Sequence, residues 1–158
     1  MNGVSKTTFE PYTDTSRAMI VTMIWRLEGE PEVDEDLVFT DVKEGRWYTE
    51  AIRWAASEGI INGVTPMTFA PNRAVTREEL AVMLHRYAQS MLLDTGAYGD
   101  LSVFQDGASC KSWSKHQMAW AVGAGILQGM GNDTLNPKGK ANRAQVATML
   151  TRWRELVS

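Results

Sequence analysis

Thr76-Arg77-Glu78-Glu79-Leu80-Ala81-Val82-Met83-Leu84-His85-Arg86-Tyr87 is the stretch on which the fold turns, because the chain carries its pattern three times. Ser16-Arg17 and Asn142-Arg143 open runs with the same apolar spacing. Leu80, Met83, Leu84 and Tyr87 correspond to Ile20, Met23, Ile24 and Leu27 upstream, and to Val146, Met149, Leu150 and Trp153 downstream. Positions i, i+3, i+4 and i+7 make one apolar stripe per helix. No single helix can bury such a stripe alone, so three equivalent ones predict an all-α, pseudo-threefold helical bundle. Burying each side chain is worth roughly 1.5–3 kcal/mol, enough in sum to hold a core.

Upstream of this helix each full copy carries a second one. Trp47, Ala51, Trp54 and Ala55 recur as Trp113, Gln117, Trp120 and Ala121, again at helical spacing. Gly59 and Gly125 are placed to end these helices. Asn2-Gly3-Val4 through Phe9-Glu10-Pro11 aligns with Asn62-Gly63-Val64 through Phe69-Ala70-Pro71, so Met1 falls opposite Ile61 and the first copy lacks its upstream helix. The expected organisation is one domain over 1–158: a partial copy at 1–27, full helix-loop-helix copies at 39–88 and 104–157, and connectors at 28–38 and 89–103. Short irregular or extended pieces are expected around Phe39 to Val42 and Phe104 to Gln105.

Phe39-Thr40-Asp41-Val42, Trp47-Tyr48 followed by Ala51-Ile52, Gly59-Ile60-Ile61-Asn62-Gly63, Phe69-Ala70-Pro71 and Val75-Thr76-Arg77-Glu78-Glu79 occur in one order with one spacing. This ordered set resembles the S-layer homology domain over nearly the whole chain. The resemblance implies three repeats around a central helix bundle that anchor an exported protein to a secondary cell-wall polysaccharide of a bacterial surface. It implies a pyruvylated N-acetylmannosamine unit as ligand, held in grooves between repeats. It makes the motif arginine, here Arg17, Arg77 and Arg143, the key ligand residue. The motif departs from the family's pattern in two copies, reading Ser16-Arg17-Ala18-Met19 and Asn142-Arg143-Ala144-Gln145. Leu135 stands in place of the phenylalanine, and Gln105-Asp106-Gly107 lacks the valine. These departures point to a degenerate third groove, and the missing helix puts another in question.

The residues themselves suit an anion. Ser16, Thr76 and Asn142 are good N-caps, with Glu79 and Gln145 three positions on as capping-box partners. Each arginine then occupies the first helical position, where the helix dipole repels a cation by about 0.3–1 kcal/mol. An anionic guest would explain the choice, held by helix-start N–H groups and the guanidinium together. The competing explanation is an internal carboxylate partner such as Asp41 or Asp106. Trp54 and Trp120 are expected in the core. Trp47 and Trp113, expected to begin their helices, stay open between core and a sugar-facing role. Asp41 and Asp106 either bond sugar hydroxyls or cap a turn, the latter being favoured. Asn62-Gly63 and Gln128-Gly129 either let backbone approach a ligand or form a plain turn.

The 158-residue length fits one well-buried domain. No apolar run approaches the roughly 18–20 residues of a membrane span, and the start shows no signal-peptide pattern, so export would make this chain part of a longer precursor. Cys110 is the only cysteine, which excludes an internal disulfide. Six acids between Glu28 and Asp36 carry more than the whole net charge of -3, leaving a mildly basic body. His85 and His116 lie at no metal-ligand spacing, and His85 is expected at the surface. No metal, cofactor, catalytic motif or nucleic-acid pattern is indicated. The competing function is a protein assembly module of a surface layer, self-associating where the incomplete first copy leaves the Ile20 to Leu27 helix short of a partner.

Overall fold

The computed structural model describes residues 12–130 and 132–157; the Asn2 to Pro11 copy of the loop lies outside them. Five α-helices follow in order: α1 (Arg17–Leu27), α2 (Thr49–Ser57), α3 (Arg77–Ser90), α4 (Lys115–Gly123) and α5 (Arg143–Val157). Two single 3-10 turns, Leu101–Val103 and Gly107–Ser109, precede α4. Among the described residues extended pairing is limited to isolated bridges, so the fold is all-α as expected.

The long helices start as the sequence predicts. Ser16 and Thr76 accept from the N–H groups of Met19 and Glu79, both at 3.2 Å. Asn142 and Gln145 form a reciprocal capping box, with bonds of 2.8 and 3.0 Å. α2 packs on α1 and α4 on α3. Each short helix ends in a Schellman turn: Gly59 (φ +73) and Gly125 (φ +77) take the left-handed conformation, while Ile60 and Ile126 donate back to Ala55 and Ala121 at 2.9 Å.

What closes the pseudo-threefold relation is backbone. Thr15, Val75 and Ala141 occupy equivalent positions just before the three long helices, and all are fully buried. Thr15 N–H donates to the Ala141 carbonyl (3.0 Å), Ala141 to Val75 (2.9 Å), and Val75 back to Thr15 (2.9 Å). A second ring lies beside it. The N–H groups of Arg17, Arg77 and Arg143 donate to the carbonyls of Arg73, Gly139 and Thr13 at 2.9, 2.9 and 3.0 Å. Helix-start donors that would otherwise lack partners are thus satisfied by the neighbouring copy.

Ten of the twelve stripe positions are buried; Met23 is half-buried and Leu27 is 39% exposed. Their equivalents explain the difference. Tyr87 and Trp153 stack with ring centroids 4.0 Å apart and planes 10° off parallel, filling the end of the bundle by themselves. The Tyr87 hydroxyl bonds the Glu28 carboxylate, drawing the end of α1 to the pair. Met23 and Leu27 instead line an open cleft of about 270 Å³ with Ala147 and Leu150 of α5. The missing valine also has a cause: a Cβ on Gly107 would stand 2.0 Å from the Leu101 carbonyl oxygen, so the first 3-10 turn occupies that space.

His85 is not a surface residue. It is 3% exposed, because α4 lies across this face of α3 and sets Trp120 (5.1 Å) and His116 (5.5 Å) edge-on to its ring. Neither ring nitrogen of His85 finds a hydrogen-bond partner among the described residues. Burial, reinforced by His116 and Arg86, therefore holds its pKa below the ordinary value. The unfolded chain takes up the proton first as pH falls below about 6.5. Stability is then complete above that pH and declines as pH drops through the lower native value. Melting curves between pH 8 and 5 should show this slope, and His85→Leu should flatten it. An unchanged slope in that variant would assign the effect elsewhere.

Candidate functional site

Two of the three arginines of the repeated motif, Arg17 and Arg77, make equivalent contacts. Arg17 leaves the start of α1 and is 5% exposed; Arg77 leaves the start of α3 and is 4% exposed. Each crosses to the loop of the next copy. Arg17 donates from Nε to the Phe69 carbonyl (2.9 Å) and from Nη2 to that of Asn62 (3.1 Å). Arg77 donates from Nε to the Leu135 carbonyl (2.7 Å) and from Nη2 to that of Gln128 (3.2 Å). Asn62 and Gln128 thus meet the arginines through main-chain oxygens, a contact that the sequence reading did not anticipate.

Each guanidinium borders an open cleft. The first, about 410 Å³, lies between Arg17, the Ile61 to Val64 loop and the α3 face bearing Glu79, Met83 and Arg86, with Trp113 at its edge. The second, about 190 Å³, lies between Arg77, Leu127, Gln128 and the α5 face bearing Gln145, Met149 and Arg152. Arg17 shifted by 60 residues, and the walls Ile61, Asn62, Glu79, Met83 and Arg86 shifted by 66, give the corresponding residues of the second, so these are two copies of one site. Each takes its buried arginine from one repeat and its walls from the next.

Arg17 is paired internally, and the partner is Glu79 (2.7 Å) rather than Asp41. Its guanidinium also lies 4.6 Å from the centre of the Phe69 ring. Burial pulls both arginines below their ordinary pKa, opposed chiefly by Glu79 at Arg17 and by Asp106 at Arg77. The helix-start N–H groups are not available to a guest. Those of Arg17 and Ala18 bond the carbonyls of Arg73 and Pro71, and those of Arg77 and Glu78 bond Gly139 and Pro137. Any anion here meets side-chain donors.

Asp41 and Asp106 cap turns, as favoured. Asp41 accepts from the N–H groups of Phe69 and Ala70, and Asp106 from those of Leu135 and Asn136, all at 2.8 Å. This clamp holds Ala70 (φ 59) and Asn136 (φ 49) in the left-handed region. Gly63 and Gly129 are required by packing: an added Cβ would sit 2.2 Å from the Thr65 carbonyl oxygen in one, and 2.7 Å from the Phe104 ring in the other. Gly63→Ala should therefore cost about 1–3 kcal/mol through overpacking. Thermal unfolding that leaves the midpoint unchanged would refute this.

Trp54 and Trp120 are core residues, 6% and 0% exposed. Trp47 and Trp113 do not begin their helices. They stand just before Tyr48 and Ser114, the caps of α2 and α4, and are 57% and 50% exposed. Trp113 lines the first cleft, while Trp47 lines neither described one. Arg143 is buried.

Two groups escaped sequence reasoning. Arg86 and Arg152 each supply a second guanidinium, and Arg26 is their equivalent on α1. The signal was there, since an arginine recurs three positions after Met23, Met83 and Met149. With the Asn62 amide oriented to satisfy both neighbours, it accepts from Arg86 Nη2 and donates to the Ile61 carbonyl, each at 3.2 Å. Arg73, which bonds Glu79 at 2.8 Å, recurs in neither other copy and gave no repeat signal.

The sequence pattern of the S-layer homology domain matches residues 38–81 and 103–147. The chain is 34% identical over 99% of its length to the Surface-layer 125 kDa protein of Lysinibacillus sphaericus, of which it covers 13%. It is 32% identical over 95% of its length to Exoglucanase XynX of Acetivibrio thermocellus, covering 14% of that enzyme. It is 21% identical over 91% of its length to a Cellulosome-anchoring protein from the same species, covering 33% of it. The similarity thus spans nearly the whole of this chain and a small part of each relative. With that pattern matching both full repeats and a relative 34% identical over 99% of the chain, the chain belongs to the S-layer homology domain family.

Proposed function

We propose that this chain anchors an exported protein to the bacterial cell wall by binding an anionic polysaccharide in the clefts between repeats. The ligand we assign is a pyruvylated amino sugar, with Arg17, Arg77 and Arg143 as its principal contacts. The observation that carries this is the pair of equivalent clefts, each bordered by a buried arginine and a second arginine one helix away. Guanidinium groups match a carboxylate in geometry and keep their charge when buried. The exposed Trp113 indole offers an apolar face with one N–H donor, which suits a sugar ring. The surface-layer and anchoring relatives support the location, and the match to small parts of enzymes supports an accessory module joined to other domains. Modest binding in several clefts raises retention through effective concentration.

Purified wall polysaccharide, with and without its pyruvate, is the test. Arg77→Ala should weaken binding of the pyruvylated polymer about tenfold or more, the worth of a charge-assisted hydrogen bond. Trp54→Phe should change it little. Equal affinity of parent and Arg77→Ala would end the assignment of Arg77. Assembly through the cleft beside Met23 and Leu27 is the second reading; a stable oligomer without glycan affinity, seen by light scattering, would favour it.

A further inference from the structure

The two clefts are built from equivalent positions but differ in size and in charge arrangement. Of the equivalent pairs that differ, three bear on the arginine: Phe69 against Leu135, Arg73 against Gly139, and Glu79 against Gln145. In the first cleft the Glu79 carboxylate receives Arg17 Nη1 at 2.7 Å and Arg73 Nη2 at 2.8 Å, and its other oxygen receives the Thr76 hydroxyl at 3.1 Å. Phe69 covers the Arg17 guanidinium from one side. The anion-binding positions of Arg17 are therefore filled from within.

In the second cleft these compensations are missing. Gln145 is uncharged, and its side-chain oxygen is turned to the Asn142 N–H at 3.0 Å. Arg77 bonds only to the two carbonyls already described, and among the described residues no carboxylate lies within ion-pair distance of it. Its Nη1, the atom equivalent to the one Glu79 holds, has no hydrogen-bond partner among the described residues. A guanidinium that is 4% exposed, with the Asp106 carboxylate acting on it only from beyond ion-pair distance, is under-compensated until an anion arrives.

Resting on the polysaccharide reading, we propose that the residue at position 79 or 145 decides where the ligand's acidic group goes. The carboxylate of the sugar ketal enters the cleft beside Arg77, standing where the Glu79 carboxylate stands in the other copy. The cleft beside Arg17, already neutralised, discriminates little between sugars with and without the acid. Glu79 is in effect a built-in occupant of the first site.

Site-resolved NMR titration tests this with two probes: the methyl glycoside of N-acetylmannosamine carrying a pyruvate ketal, and the same glycoside without it. In the parent protein the Gly129 amide should respond to the ketal at a concentration at least about tenfold lower than the Gly63 amide and the Trp113 indole. Gln145→Glu should raise the Gly129 midpoint for the ketal about tenfold and leave the ketal-free sugar unaffected. Glu79→Gln should do the opposite, bringing the Gly63 and Trp113 midpoints down. The two variants act in opposite directions on separate clefts, so a folding defect in one leaves the other decisive. Equal midpoints in the parent, or a Gly129 midpoint unmoved by Gln145→Glu, would overturn the division of the clefts and leave the binding function standing. If neither probe binds the parent, the polysaccharide reading falls, and this inference with it.

Discussion

Replacing Trp153 with alanine should destabilise the protein by about 3–5 kcal/mol, the usual range for truncating a buried tryptophan. Trp153 is 2% exposed, stacks on Tyr87 at 4.0 Å and donates its indole N–H to the Leu84 carbonyl at 3.3 Å. The loss reaches beyond one side chain. Tyr87 also bonds Glu28 at the end of α1, so the stack joins the ends of all three long helices. For a chain of this size the change corresponds to roughly 6–20 °C in melting temperature. Trp153→Phe keeps a ring against Tyr87 and should recover much of the difference. Calorimetry showing a fall of less than about 2 °C for the alanine variant would mean that the aromatic stack does not hold the bundle end.

Arg17→Ala should be nearly as damaging, by about 3 kcal/mol, because it breaks a buried ion pair from one side. Three acceptors lose their donor at once: the carbonyls of Phe69 and Asn62 and the Glu79 carboxylate. Arg73 continues to serve Glu79, which keeps the loss at the lower end of the range. Lysine should restore little, since a single ammonium cannot reach three acceptors lying along a planar fork. Arg77→Ala removes two carbonyl bonds and strands no carboxylate, so its effect on stability should be smaller. Urea unfolding of the pair gives the comparison. Equal midpoints for Arg17→Ala and Arg77→Ala would show that the Glu79 contact adds nothing to the fold.

Much of the candidate site was legible because it is repeated. The arginines, their caps, the glycine loops and the acidic clamps recur at fixed spacing, and local chemistry assigns each a role. Arg86 and Arg152 were equally visible but went unread, since an arginine on a helix face is ordinarily a solvated residue. Arg73 and the pairing of Arg17 with Glu79 could not be read. They join residues far apart in the chain, and no local rule says which carboxylate a guanidinium will reach.

By itself the sequence determined three helices with one apolar stripe each, their capped starts, the glycine stops of the two short helices, and an all-helical gathering of the stripes. Hydrophobic periodicity and capping are local, and both were stated three times over. Only the tertiary structure decided that Thr15, Val75 and Ala141 close a ring of backbone bonds, that α4 buries His85, and that neighbouring loops take the helix-start donors. Those outcomes depend on which surfaces meet across copies, and contact between distant segments is written in no single stretch of chain.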